Sequence, residues 1–189
     1  MTDAPGGDHA ALITLLKTRS IRSGDFVLAS GARSSWYVDC RLTTMSAPGQ
    51  ILIGPLALSA IHRAGWHPDA IGGLTMGADP VSYAIAAASM RSGSPVDAFS
   101  VRKSAKQHGT GRRIEGNFLA GNRVVVIEDV ITSGGSALDA IAAVRDEGGT
   151  VLGVLALVDR EAGGSDRLRA EGYAVECLVT ATELGISAS

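Results

Sequence analysis

Cysteine is scarce: only Cys40 and Cys177 occur in 189 residues, far apart, with no CxxC pair and no metal-type spacing. A disulfide framework is therefore not expected, and both read as free thiols of a cytosolic protein. Nor is there an excess of positive charge. With 17 Lys+Arg against 19 Asp+Glu the net charge is −2, which argues against general nucleic-acid binding, where a strongly basic face is needed. Apolar runs are short; VLGVLALV at 151–158 is far below the ~20 residues of a membrane-spanning helix. The start, MTDAPGGDHA, has no basic stretch followed by an apolar one, so no secretory signal is expected. Repeats, low-complexity tracts and interdomain linkers are missing, and so are GxxxxGK(S/T) and GxGxxG nucleotide loops.

What the chain does have is enough apolar residue for a sizeable core: 46% hydrophobic against 19% charged. One domain over 1–189 is expected, with an N-terminal helix and hood over about 1–46 and a core over about 47–189. From about residue 47, apolar runs alternate with helical patterns. Helices are predicted at 51–65, 80–90, 136–149 and 166–172, and strands at 70–74, 96–101, 124–127, 150–158 and 174–179. The strands are continuously apolar rather than alternating, the mark of a parallel sheet covered on both faces. The fold class is α/β, with an open, mainly parallel sheet flanked by helices. Before residue 47 the pattern changes. HAALITLLKTR reads as a helix, and FVLAS and WYVDC flank SGARS as an antiparallel hairpin, a small N-terminal hood beside the sheet. Only the first seven or eight residues read as disordered.

The stretch VVVIEDVITSGGS (124–136) combines two demands that conflict for a simple phosphate. In open α/β sheets ligands bind beyond the carboxyl ends of the strands. There Gly134 and Gly135 let backbone N–H groups approach an anion, a helix begins near Ser136, and Thr132, Ser133 and Ser136 add hydroxyl donors. That is a cradle for a phosphomonoester. Yet Glu128 and Asp129 stand directly in front of it. The acids make sense if the ligand also carries vicinal hydroxyls, which carboxylates accept, and develops positive charge on a sugar ring. A ribose 5-phosphate meets both demands. The alternative for the acidic pair alone is a helix N-cap after a buried strand.

A second constellation, VRKSAKQHGTGRRIEG (101–116), holds Arg102, Lys103, Lys106, His108, Arg112 and Arg113 with no acid before Glu115. Charge runs are most often solvated faces. This one follows a buried strand directly, contains Gly109 and Gly111 as hinges, and sits in a slightly acidic protein. It reads as a mobile basic loop for a substrate whose leaving group is a diphosphate.

VVVIEDVITSGGS resembles the motif with which type I phosphoribosyltransferases bind 5-phosphoribosyl 1-diphosphate (PRPP): four apolar residues, an acidic pair and a Thr/Ser/Gly loop. RKSAKQHG is similar to the catalytic loop of the orotate phosphoribosyltransferases, Arg-Lys-x-x-Lys-x-His-Gly, with all fixed positions present. The resemblance runs from about residue 10 to the end and implies the type I phosphoribosyltransferase fold. It implies transfer of ribose 5-phosphate from PRPP to orotate, with Mg²⁺ carried mainly by PRPP rather than by a protein metal site. It implies PRPP contacts from Arg102, Lys103, Lys106 and His108 and from Glu128, Asp129, Val130, Ile131, Thr132, Ser133, Gly134, Gly135 and Ser136. Lys106, Glu128 and Asp129 would be catalytic, and Thr132 and Arg160 would hold orotate, whose ring carboxylate suits a bidentate guanidinium. A surface ion pair between Arg160 and Glu161 or a neighbour is the alternative for that arginine.

The resemblance further implies a cytoplasmic homodimer with shared active sites, and no membrane or nucleic-acid partner. No second domain is expected after it, hence no fused decarboxylase. FVLASGARSSWYVDC (26–40) is similar to the family's hood, with Trp36 and Tyr37 placed to cover the base. GGLTMGADPVSYAIA (72–86) stands where the family has its diphosphate loop, although it also reads as a plain strand-to-helix turn capped by Asp79 with Pro80 first in the helix. Two departures stand out: Ala29, and the Thr75-Met76-Gly77 run, occupy places where some members carry lysine. Arg112 and Arg113 receive no role. The remaining alternatives are a phosphoribosyltransferase for another base and a regulatory protein built on the same fold.

Overall fold

The computed structural model describes residues 5–27, 33–104 and 112–186. The chain opens with helix α1 (Pro5–Arg19), followed by β1 (Ile21–Val27) and β2 (Arg33–Val38), which pair antiparallel as a two-stranded hood. The hairpin lies earlier than the sequence suggests. Its first strand starts at Ile21, and residues 28–30 of the predicted FVLAS strand lie outside the described residues. Helix α1 also reaches back to Pro5, so disorder up to residue seven or eight is corrected. A short helix α2 (Arg41–Thr44) follows, and then α3 (Ala47–Arg63), whose N-cap Ser46 accepts a bond from the Gly49 N–H at 3.1 Å.

Next come β3 (Ala70–Leu74), α4 (Ala78–Ser92), β4 (Asp97–Val101), β5 (Ile114–Gly116) and β6 (Arg123–Ile131). The chain continues with α5 (Gly135–Asp146), β7 (Thr150–Asp159), α6 (Gly164–Ala170), β8 (Val175–Thr180) and α7 (Ala181–Leu184). The six-stranded sheet has the order β5-β4-β3-β6-β7-β8, parallel except for the antiparallel edge strand β5. The open, mainly parallel α/β sheet predicted from the sequence is thus present. The edge strand β5 was not foreseen; three residues leading out of a charged segment carry too little pattern to read.

Two cores explain why the strands lack alternation. Val125 and Ile127 of β6 face a cluster with Leu12 and Leu16 of α1, Ile53 and Ile61 of α3 and Ile85 of α4. Their neighbours Val124 and Val126 face the other side, against Ala137, Ile141 and Val144 of α5 and Leu168 of α6. All four valines and isoleucines are fully buried, so both faces of the strand must be apolar. The chain leaves β3 toward β4 on one side and leaves β6 toward β7 on the other. Between β3 and β6 lies the switch point, where the loops diverge and open a crevice at the carboxyl ends of the strands.

Candidate active site

At that crevice lies a cleft of about 940 Å³, whose walls come from the hood, the β3–α4 turn, the end of β4 and the β6–α5 segment. Glu128, Asp129, Val130, Thr132, Ser136, Arg102, Lys103 and Arg160 all line it. Lys106 and His108 lie outside the described residues. The structure therefore brings the acidic pair, part of the phosphate loop, two loop cations and Arg160 around one space.

The acidic pair is more deeply set than the sequence suggests. The strand expected over 124–127 continues to Ile131, so Glu128 and Asp129 stand on β6 itself, ahead of the turn. Neither caps a helix: α5 is capped by Gly134, and an Asp129 oxygen accepts from the Val130 N–H at 2.9 Å. Glu128 is 6% exposed. Burial, and next the Asp129 charge, push its carboxyl up to about 8. Asp129 is pushed up too, by burial, with the Val130 amide and the Arg41 guanidinium pulling the other way. A buried and an adjacent half-buried carboxyl resist carrying two full charges until a ligand brings hydroxyl donors or positive charge to them.

The turn after β3 presses on this pair. A Cβ at Gly77 would stand 2.5 Å from Asp129 Oδ1, so only glycine lets the backbone approach the carboxylate so closely. Helix α4 starts one residue later, at Ala78, with Gly77 as its cap. Asp79 is therefore not the N-cap, and Pro80 is not the first helical residue. The Asp79 carboxylate instead accepts from Thr75 Oγ1 at 2.6 Å and Ser100 Oγ at 2.7 Å, tying the turn to β4.

In the phosphate loop, Gly134 takes a left-handed φ of 74° and α5 begins at Gly135, close to the expected Ser136. Thr132 and Ser133 are exposed. The Ile131 side chain is buried in the core, and its carbonyl accepts from the Arg160 N–H at 3.0 Å. The β7–α6 turn backs the loop so tightly that a Cβ at Gly164 would lie 2.4 Å from the Thr132 carbonyl oxygen. Arg167 Nη1 donates to the Ser133 carbonyl at 3.2 Å.

Arg160 directly follows β7 and is 9% exposed. Its guanidinium carbon sits 4.2 Å from the centre of the Trp36 ring, and burial lowers its pKa. Trp36 is buried against it, whereas Tyr37 is 41% exposed and lines the cleft. Of Trp36 and Tyr37, Trp36 packs on the arginine and Tyr37 remains open to a ligand. The Glu161 carboxylate accepts from the Thr182 N–H and hydroxyl at 2.7 and 2.6 Å.

Some cleft residues were missed in the sequence. Asp39 and Arg41 line the hood side, joined by two bonds of 2.8 and 2.9 Å from the guanidinium to the carboxylate. Their signal was available: an acid and a base two apart immediately after the hood strand. Arg113 also acquires a place. Its guanidinium grips Asp139 of α5 at 3.0 and 2.8 Å and donates to the Arg102 carbonyl at 3.1 and 3.0 Å. Cys40 and Cys177 are free thiols pushed up by burial, Cys177 to about 11. Neither is primed as a nucleophile. Among the described residues no group of three or more His, Cys, Asp or Glu could hold a metal ion, and no helix is long and apolar enough to cross a membrane.

The "Phosphoribosyl transferase domain" family model matches residues 49–183. An orotate phosphoribosyltransferase of Rhodopirellula baltica is 40% identical over 191 residues, covering 98% of each chain. The chain belongs to the orotate phosphoribosyltransferase family. Solved family structures agree with the fold. The Mycobacterium tuberculosis orotate phosphoribosyltransferase in complex with Fe(III) dicitrate superposes with a TM-score of 0.85 at 44% identity, over 95% of this chain and 99% of that one. The same enzyme in complex with PRPP gives 0.80 at 39% identity, over 95% and 99%. The family resemblance seen in the two motifs therefore extends over nearly the whole chain.

Proposed function

We propose that the protein transfers the ribose 5-phosphate group of PRPP to orotate, giving orotidine 5′-phosphate and diphosphate in pyrimidine biosynthesis. The observation that carries this reading is that one cleft is lined by Thr132 and Ser136 of the loop, by Glu128 and Asp129, and by Arg160. In this reading the loop holds the 5′-phosphate, and the acids hold the ribose diol and face the positive charge that builds on the ring as C1′ parts from diphosphate. Arg102, Lys103 and Lys106 meet the departing diphosphate, with His108 as a further PRPP contact. Arg160 and Thr132 hold orotate. No covalent nucleophile is required, and the rate comes from positioning and charge complementarity.

Mg²⁺ fits this donor set as a passenger of PRPP. It keeps most of its waters and binds substrate phosphates with one or two carboxylates, and Glu128 and Asp129 are among the carboxylates that line the cleft. When bound, it neutralises diphosphate charge. The protein works as a cytoplasmic homodimer in this reading, each site completed by the partner's loop cations.

Incubation with PRPP, Mg²⁺ and either orotate or uracil tests the assignment. Orotate should be converted and uracil scarcely at all, because uracil lacks the carboxylate that Arg160 receives. Equal turnover of the two bases would sink it.

A further inference from the structure

Arg160 has to point a long side chain into the cleft from the last residue before a turn. The residue that follows it is unusual. Glu161 has a φ of 54°, the only positive φ at a non-glycine among the described residues. Side chains resist that left-handed region, which glycine enters freely. Something must hold Glu161 there.

The holding contacts are visible on both sides. The Glu161 N–H donates to Asp159 Oδ1 at 2.8 Å, and the other Asp159 oxygen accepts from Ser165 Oγ. Glu161 Oε2 takes both the N–H and the hydroxyl of Thr182, at 2.7 and 2.6 Å. Thr182 is itself fixed in α7, whose N-cap Thr180 forms a reciprocal capping box with Glu183. Arg160 lies between these anchors, with its own N–H on the Ile131 carbonyl at 3.0 Å and its guanidinium over Trp36. Any relaxation of Glu161 toward an ordinary φ must be taken up by neighbouring torsions, and the ψ of Arg160 is the nearest.

We propose that Glu161, clamped in the left-handed conformation by Thr182, is a positioning residue that aims Arg160 and so sets the affinity for the carboxylate of the base. The inference rests on the assignment of Arg160 to orotate. It gives α7, the last helix among the described residues, a part in base recognition.

Charge alone predicts the opposite sign. Glu161 is an anion next to the receptor of an anion, so removing it electrostatically should tighten orotate binding. Positioning predicts that removal weakens it.

Steady-state kinetics with orotate and PRPP varied in turn, together with thermal melting, separate the two. Glu161→Gly accepts the backbone conformation but loses the tether. It should raise the orotate KM about tenfold, leave the PRPP KM within about twofold, and not lower Tm. Glu161→Gln keeps an acceptor for Thr182 and should stay within about threefold of the parent. Thr182→Val, which keeps the amide donor and loses the hydroxyl, should raise the orotate KM by about threefold. An orotate KM unchanged or lowered in Glu161→Gly, or a PRPP KM rising in parallel, overturns the inference. Arg160→Ala in the same assays tells the two failures apart. If it loses orotate affinity while Glu161→Gly does not, only the positioning role falls. If it loses none, the assignment of Arg160 falls and the inference with it.

Discussion

Asp129→Asn is expected to lower kcat about a hundredfold, equivalent to ~2.7 kcal/mol, with little change in the PRPP KM. The substitution keeps the size of the side chain and its bond to the Val130 N–H. What it removes is negative charge at a half-buried position, where water screens poorly and a fixed charge acts strongly on a cationic ring. A second readout follows from the coupling to Glu128. Burial is the main reason that carboxyl sits at about 8, and the Asp129 charge is the next. With the charge gone, the Glu128 carboxyl should titrate at lower pH, moving the corresponding limb of the pH–rate profile down. A purely structural Asp129 would show lost thermal stability and an unchanged kcat.

Arg160→Ala is expected to raise the orotate KM by roughly 10- to 100-fold, the range of a lost charge-assisted bidentate bond of ~1.5–3 kcal/mol. The PRPP KM should hold, because the phosphate loop and acidic pair keep their backbone. Trp36 would lose the guanidinium stacked over its ring, a stability loss of ~1 kcal/mol. Steady-state kinetics with each substrate varied, and a thermal melt, check both parts. Parallel increases in the two KM values would mean that the turn at 160–164 had collapsed onto the loop it backs.

The comparison of sequence with structure is sharpest around these residues. The central strands β3, β6 and β7 were legible because two-sided burial leaves them largely continuously apolar, as Val124 to Ile127 show. The position of Glu128 and Asp129 on β6 was not, since a polar pair looks like the end of a strand even where pairing to β7 runs on to Ile131. The phosphate loop and the acidic pair could be found from local order, being contiguous. Asp79 could not be placed without the fold, because its partner Ser100 comes to it on the neighbouring strand β4. In the sequence Glu161 reads only as an ion-pair partner for Arg160. Its actual partner, Thr182, is twenty-one residues away and reaches it only because β8 turns into α7 beside the end of β7.

The central claim is that a single ligand spans the cleft from the Thr132–Ser136 loop, past Glu128 and Asp129, to Arg160. A crystal structure of the protein with orotidine 5′-phosphate tests it most directly. The account predicts the phosphate on the backbone amides of 132–136, the ribose hydroxyls on the two carboxylates, and the ring carboxylate on the Arg160 guanidinium. A nucleotide bound with its phosphate away from that loop, or with its base carboxylate facing solvent while Arg160 stays on Trp36 untouched, would contradict it.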